Sequence, residues 1–402
     1  MKRLISALAL SASLALPALA EPDPKDWDAV VAEARGQTVF WNAWGGDPRI
    51  NDFIASVGDE IEERYGITLE HVKVSDTATA VTRVVSEKAA GRDEGGAVDL
   101  IWINGENFVS MKRNDLLFGP FAEDLPNWQY VDTEGKPAVL IDFTEPTDGL
   151  ESPWAMAQLV FEYDAEMLPN PPRSAQELLE YAVENPGRVA FPQPPNYLGG
   201  TFLKQILYGV LDDPSVLQVP AETVDYDAVT APLWAYLDEL TPNLWRSGRA
   251  YPQNEPRLAQ LLADGETDLS FALNPARASA AIADGELPES VRTYVFDEGT
   301  IGNASFVAIP YNASHKAAAL VLANHLLDPA TQARAQDPNV LGFQTVLNME
   351  ALSADQRAAF DALDLGIATL APADRGVSLN EPHASWMVRI EEEWAARYGV
   401  AE

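Results

Sequence analysis

The stretch Gly299-Thr300-Ile301-Gly302-Asn303-Ala304-Ser305-Phe306-Val307-Ala308-Ile309-Pro310 decides how the chain is organised. Its β-branched, aromatic and small residues read as one long strand. Ser314-His315-Lys316 then opens an apolar helix over 317–327, stopped by Asp328-Pro329, with a second helix behind it. The strand follows two separate clusters of strand and helix patterns, so it runs back from the second cluster to the first. Two α/β clusters joined by crossing strands imply two lobes with a cleft and a hinge between them.

Outward from that strand, the first cluster begins with Thr38-Val39-Phe40-Trp41-Asn42, a buried strand ending in the turn Gly45-Gly46-Asp47-Pro48. Ile50, Phe53, Ile54, Val57 and Ile61 follow at helical spacing, and Gly66 closes that helix. A strand over 67–74, a helix over 78–90 and a strand over 98–103 continue the alternation. The last is apolar after Asp99, as a parallel strand covered on both faces should be. A short helix from near Asn107 to about Asp115 completes the pattern of a doubly wound sheet. The second cluster follows the Pro/Gly/Asp-rich stretch 142–153. It reads as a strand over 158–163, a helix from Ser174 to Glu184, a short strand over 188–191 and a proline-stiffened loop over 192–196. A helix from about Gly200 to Val210 and strands over 268–272 and 292–296 complete it. From Ser353 onward the chain reads as mainly helical, ending in an amphipathic segment over 385–398. The expected division is a signal peptide at 1–20, a first lobe at 21–145, a second at 146–298, a return to the first at 299–340, and C-terminal helices at 341–402 packing on the lobes. Hinge strands are expected near 141–143, 153–155 and 300–303.

Composition narrows the function. The 402 residues include 27 Lys or Arg against 61 Asp or Glu, a formal charge of −34. Non-specific nucleic-acid binding needs the opposite balance. No cysteine is present, which excludes disulfides, thiolate metal sites, a thiol nucleophile and a lipid-anchored N-terminus. Lys2 and Arg3, an apolar run over 4–16 and Ala18-Leu19-Ala20 read as a cleavable export signal, with Glu21 as the mature N-terminus and the periplasm as destination. The four histidines, His71, His315, His325 and His383, show no metal-binding spacing, and neither a nucleophile elbow nor a phosphate loop occurs.

Phe306-Val307-Ala308-Ile309-Pro310, Ser314 to Ala319, and Leu326-Leu327-Asp328-Pro329-Ala330-Thr331-Gln332 resemble the return strand and following helix pair of the periplasmic solute-binding proteins of ABC importers. Residues 39–46, 98–104 and Pro153-Trp154-Ala155 sit where that family places its first strand, third strand and hinge crossing. The resemblance covers nearly the whole mature chain and is greatest to the YnjB type. It implies a two-lobed Venus-flytrap fold of the type II kind, and partners in a membrane permease and its cytoplasmic ATPase. It does not supply the ligand.

Loops at strand C-termini furnish the ligand groups of open α/β lobes. In the first lobe these are Trp44-Gly45-Gly46, Ser75 and Thr77, and Asn104, Glu106 and Asn107. In the second they are Asn196, Tyr197 and Thr201, then Asn274. Asn303, Ser305 and Trp154 stand at the hinge. Helix capping is an equal reading for Ser75 and Thr77, and a plain turn for the glycines. Trp41, Trp102, Trp234 and Trp245 read as core, whereas Trp44, Trp154, Tyr197 and Trp386 are candidates for stacking on a ligand. Lys204, Arg49 and Arg277 lie close to the loops and read as surface ion-pair formers. Aromatic faces beside Asp76 and Glu106 favour a nitrogen-containing organic cation or zwitterion, with a sugar or an anion held open. A monomeric binding protein without cofactor or metal is expected; an exported hydrolase with carboxylates scattered in sequence is the alternative.

Overall fold

A computed structural model describes residues 21–371 and 374–399; the export signal lies outside the described residues. The first part of the chain contributes α1 (Trp27–Ala34), β1 (Thr38–Trp44), α2 (Pro48–Tyr65), β2 (Thr68–Val74), α3 (Ala78–Ala89), β3 (Leu100–Ile103) and α4 (Glu106–Arg113). A hairpin, β4 (Ile141–Asp142) and β5 (Glu145–Pro146), leads to β6 (Glu151–Gln158). The middle holds β7 (Val160–Asp164), α5 (Ala175–Glu184), α6 (Tyr197–Val210), α7 (Tyr226–Leu240), α8 (Glu255–Ala263), β8 (Leu269–Ala272), α9 (Arg277–Ala283) and β9 (Val291–Tyr294). The chain returns through β10 (Thr300–Ala308) to α10 (Lys316–Leu326), α11 (Pro329–Gln336) and α12 (Ala354–Asp361), then β11 (Ser378–Leu379) and α13 (Ala384–Tyr398).

β1 pairs in parallel with β2 on one side and β3 on the other, and β10 lies antiparallel to β3. The expected helix periodicity holds: α2 buries Ile50, Phe53, Ile54, Val57 and Ile61, starts on an Asp47 cap with Pro48 behind it, and ends on Gly66 at φ 68°. α10 buries every residue from Ala317 to Leu326, so it is a core helix, apolar all round rather than on one stripe. The first core joins these elements to residues as late as Phe360. The second core surrounds β8-β7-β9, an antiparallel sheet, and takes in Trp386, Ile390 and Trp394 of α13.

β6 and β10 connect the two cores as an antiparallel ribbon from Glu151↔Ala308 to Gln158↔Gly302, with a register shift between Ser305 and Phe306. Among the described residues four expectations are corrected. Residues 158–163 are not one strand, because Gln158 ends β6 and β7 starts at Val160. Residues 188–191 form only a single bridge, Val189↔Leu244, and Pro192 directly after them bars its extension. α6 begins at Tyr197, one turn earlier than expected, because Asn196 caps it by accepting from the Leu198 amide. After Ser353 only α12 and α13 are helical in the stretch expected to be mainly so, with irregular chain and β11 between them.

Candidate functional site

α4, behind the loop after β3, meets α13 and the start of α6. Residues from both sides meet there: Val109 of α4 and Phe143 of the hairpin pack with Ala384 and Met387 of α13 and with Tyr197. Across the opposite end, Arg49 at the start of α2 donates to the carbonyl of Pro338 (2.6 Å) and to that of Ala280 in α9 (3.2 Å), and pairs with Asp284.

Several expected ligand contacts are spent inside the protein. Trp154 is only 1% exposed and is ringed by Trp41, Phe53, Trp102 and Phe343, so it is core rather than cleft. Trp386 is likewise buried, stacked on Tyr226 with its indole N–H on the Val219 carbonyl. The Asn104 amide donates to the Ala304 carbonyl (2.6 Å) and reaches Asp142, whose other oxygen accepts from the Gly105 amide (2.7 Å). Thr201 is buried and its hydroxyl donates to the Tyr197 carbonyl; Asn274 holds the Leu341 carbonyl (2.7 Å) while accepting from the Ala276 amide. Thr77 makes no side-chain cap; its hydroxyl donates to the Trp102 carbonyl, and Asp76 accepts from the Ala78 amide in its place. Ser75 is exposed at the end of β2, and Ser305 is buried on β10 opposite Ala155.

Of the expected residues, Glu106, Tyr197 and Asn303 come together around Glu381. Trp44 is part-exposed on the first core, and a side chain on Gly46 would run into its ring; Gly45 stands likewise against the Lys73 stem. Asn107 donates to the Glu106 carboxylate. Asn303 donates to the Tyr197 hydroxyl (2.9 Å) and to Glu381 (3.3 Å), and Tyr197 donates to the same Glu381 oxygen (3.2 Å). Beside them opens a cavity of about 210 Å³ bounded by Ile141, Phe143, Gly302, Asn303 and Glu381.

At the centre lies Lys204, buried rather than on the surface. Its Nζ is 2.6 Å from Glu381, with side chains 1% and 2% exposed. The ammonium also lies 4.7 Å from the centre of the Phe143 ring, 5.3 Å from that of Tyr197 and 3.7 Å from the Met387 sulfur. A carboxylate flanked by aromatic faces is a recognition set for an organic ammonium, filled here by the chain's own side chain. Phe143 and Thr144 form the hairpin turn with φ at 47° and 73°, a left-handed pair that a phenylalanine adopts rarely. Strain of that kind is held only where surrounding contacts fix it, and the ring's place over Lys204 is such a contact.

Acids outnumber bases around this centre. Glu106 is raised by burial, with Asp76 and Glu381 adding and Lys204 opposing. Glu391 of α13 is pushed up to about 7 by burial, again with Lys204 opposing and Glu106 and Asp76 adding. Its Oε1 is buried without a partner, and a side chain on Gly200 would strike it. At the β8 end, burial raises Glu255 to about 7; Arg277 opposes this, and Glu162 and Asp47 add to it. Arg277 is bound by Glu162 (2.7 Å) and Glu255 (3.3 Å), and so is no surface ion-pair former either. Phe143, Glu255, Glu381 and Glu391 were not singled out from sequence. Only Phe143 carried a local signal there, as a bulky residue within a Pro/Gly/Asp-rich turn.

A family model described as "Bacterial extracellular solute-binding protein" matches residues 56–356. Protein YnjB of Escherichia coli (strain K12) is 46% identical over 375 residues, covering 93% of this chain and 94% of that one. Among solved structures, the spermidine/putrescine ABC transporter substrate-binding protein PotD from Streptococcus pneumoniae aligns with TM-score 0.57 at 16% identity, over 89% of this chain and 99% of its own. The periplasmic binding protein AfuA from Actinobacillus pleuropneumoniae, with exogenous fructose-6-phosphate bound, aligns with TM-score 0.58 at 17% identity, over 91% and 99%. Both show the two-lobed periplasmic-binding-protein fold.

Proposed function

We propose that this chain, which belongs to the bacterial extracellular solute-binding protein family and binds a solute, captures a nitrogen-containing organic cation in its interlobe cleft and delivers it to the permease of an ABC importer. The observation that carries the ligand reading is the surplus of carboxylates there. Glu106 and Glu391 both feel the charge of one lysine and of Asp76, and that lysine is already paired with Glu381. Burial above all holds Glu106 and Glu391 away from ionisation, and an incoming positive charge would offset that cost. An anionic solute would add to the repulsion, and Trp44 and Tyr197 supply faces for a cation rather than for a phosphate. Of the two structural neighbours, the polyamine-type ligand is therefore the better guide to charge than the sugar phosphate.

Binding without catalysis, a monomeric state and export to the periplasm with cleavage after Ala20 belong to the same reading. The lobes, residues 21–145 with 299–340 and residues 146–298, turn about the β6–β10 ribbon, because a ligand favours closure only through contacts to both sides. A thermal-shift screen of purified protein tests this directly. Organic cations such as choline, thiamine and spermidine should raise the melting temperature, since ligand at a hundredfold its Kd adds about 2.7 kcal/mol. Shifts with fructose-6-phosphate or neutral sugars and none with cations would overturn the ligand class.

A further inference from the structure

We propose that Lys204 is an exchangeable occupant of the seat that the solute's cation takes: the arriving charge replaces its ammonium at Glu381, between Phe143 and Tyr197, and Lys204 swings back one helical turn to Glu391. The inference rests on the cationic reading of the cleft and adds the event that admits the charge. As it stands the seat is full. Glu381 accepts from Lys204 (2.6 Å), the Tyr197 hydroxyl (3.2 Å) and the Asn303 amide (3.3 Å). The Lys204 ammonium lies 4.7 Å and 5.3 Å from the centres of the Phe143 and Tyr197 rings. A cation can therefore take this place only when Lys204 leaves it. The cavity of about 210 Å³, bordered by Glu381, Phe143 and Asn303, gives a small ammonium group room on the approach.

A second seat for the lysine is built beside the first. Gly200 and Lys204 lie four residues apart on α6, and Met387 and Glu391 four apart on α13, so each pair shares a helix face. The two faces touch. Lys204 Nζ is 3.7 Å from the Met387 sulfur, and a side chain on Gly200 would press on the Met387 methyl and strike Glu391 Oε1. That Glu391 oxygen is buried without a hydrogen-bond partner. Side chains on a helix lean towards its N-terminus, so a lysine at 204 reaches back over the turn that holds Gly200. Gly200 keeps that turn clear. Rotations about the flexible four-carbon stem then bring Glu391 Oε1 the donor it lacks. Lys204 already opposes the rise in the Glu391 pKa, as a positive charge close by must. A neutral solute would leave Glu381 bare after the exchange, which makes the device selective for charge.

Calorimetric titration with choline, thiamine and spermidine tests the exchange on wild type, Lys204→Met, Gly200→Ala and the double variant. Lys204→Met removes the internal competitor, so the cation that binds best should bind about tenfold more tightly than to wild type. Gly200→Ala should weaken that binding about tenfold, because its methyl group pushes Glu391 aside and closes the second seat. Alanine is the better helix former, so the ligand-free melting temperature should not fall with it. In the Lys204→Met background the same change should cost less than about twofold, since no lysine is left to seat. A folded Lys204→Met protein that binds no more tightly, or an equal Gly200→Ala penalty in both backgrounds, would overturn the exchange and leave the cationic reading standing. If Lys204→Met does not fold, Gly200→Ala decides alone: weakened binding upholds the exchange and unchanged affinity overturns it. Failure of all four proteins to bind any of the cations would overturn both readings.

Discussion

Replacing Lys204 by Met removes one charge from a pair that water does not reach. Wild-type Glu381 has the ammonium at 2.6 Å, the Asn303 amide at 3.3 Å and the Tyr197 hydroxyl at 3.2 Å. Without the ammonium, two neutral donors remain for a carboxylate that also has Glu106 and Asp142 nearby. Breaking a buried pair from one side costs about 3–5 kcal/mol. At about 2–4 °C per kcal/mol for a large domain, the melting temperature should fall by roughly 6–20 °C. Met fills most of the volume of the Lys stem, so the loss reports charge rather than a cavity. Lys204→Met/Glu381→Gln should recover much of the loss, because no bare charge is then left behind. The deficit of the single variant should also shrink as the pH falls, since protonation relieves an unpaired carboxylate. Differential scanning calorimetry of the three variants at pH 5.5 and 8 measures all of this. A single variant within about 2 °C of wild type at pH 8, or a double variant as unstable as the sum of the two singles, would refute the claim that this pair holds the centre together.

Three further outcomes are expected. Trp154→Ala should cost about 3–5 kcal/mol of stability by opening the core, whereas Trp44→Ala should change the melting point little and weaken solute binding about tenfold; calorimetry and ligand titration separate the two. Glu151 is fully buried on β6 with both carboxyl oxygens unpartnered, and burial, with Asp142 adding, holds it well above the usual carboxylate range. A raised acid favours the folded state least at high pH, so Glu151→Gln should stabilise by about 1–3 kcal/mol at pH 8 and progressively less towards pH 4, read from melting curves across that range. Glu391, pushed up to about 7, should lose its proton when a cation binds. Affinity should therefore rise from pH 6 to 8, and titration at pH 7 in buffers of different ionisation enthalpy should show net proton release; proton uptake would contradict the placement of the charge.

The strand and helix order of the first lobe was legible because its signals are local: apolar spacing in α2, Gly66 at its end, and the apolar run of β3. The return strand was legible too, at 300–308 against an expected 299–310. The site was legible only in part. Strand-end loops point to the cleft, yet whether Asn104, Thr201 or Asn274 is free for a ligand depends on partners such as Ala304 and Leu341, one of them 200 positions away in the chain. Trp154 looked available because it stood at the expected hinge crossing beside the cleft, but pleating within β6 turns its ring into the first core. Lys204 read as a surface lysine because a single basic residue on an apolar helix carries no mark of burial. Its carboxylate partner lies 177 residues further on.

α13 and the strap before it carry Glu381, Met387 and Glu391, the wall that faces α4 and α6. Translation runs from N- to C-terminus, so this wall, which also carries Trp386, Ile390 and Trp394 of the second core, is the last of the described elements to leave the ribosome. A nascent chain that has reached β10 still lacks α10, which fills the first core, and these three α13 residues, which fill the second. Completing the second core and pairing Lys204 are therefore one late event, and a fragment stopped before Asn380 would lack both.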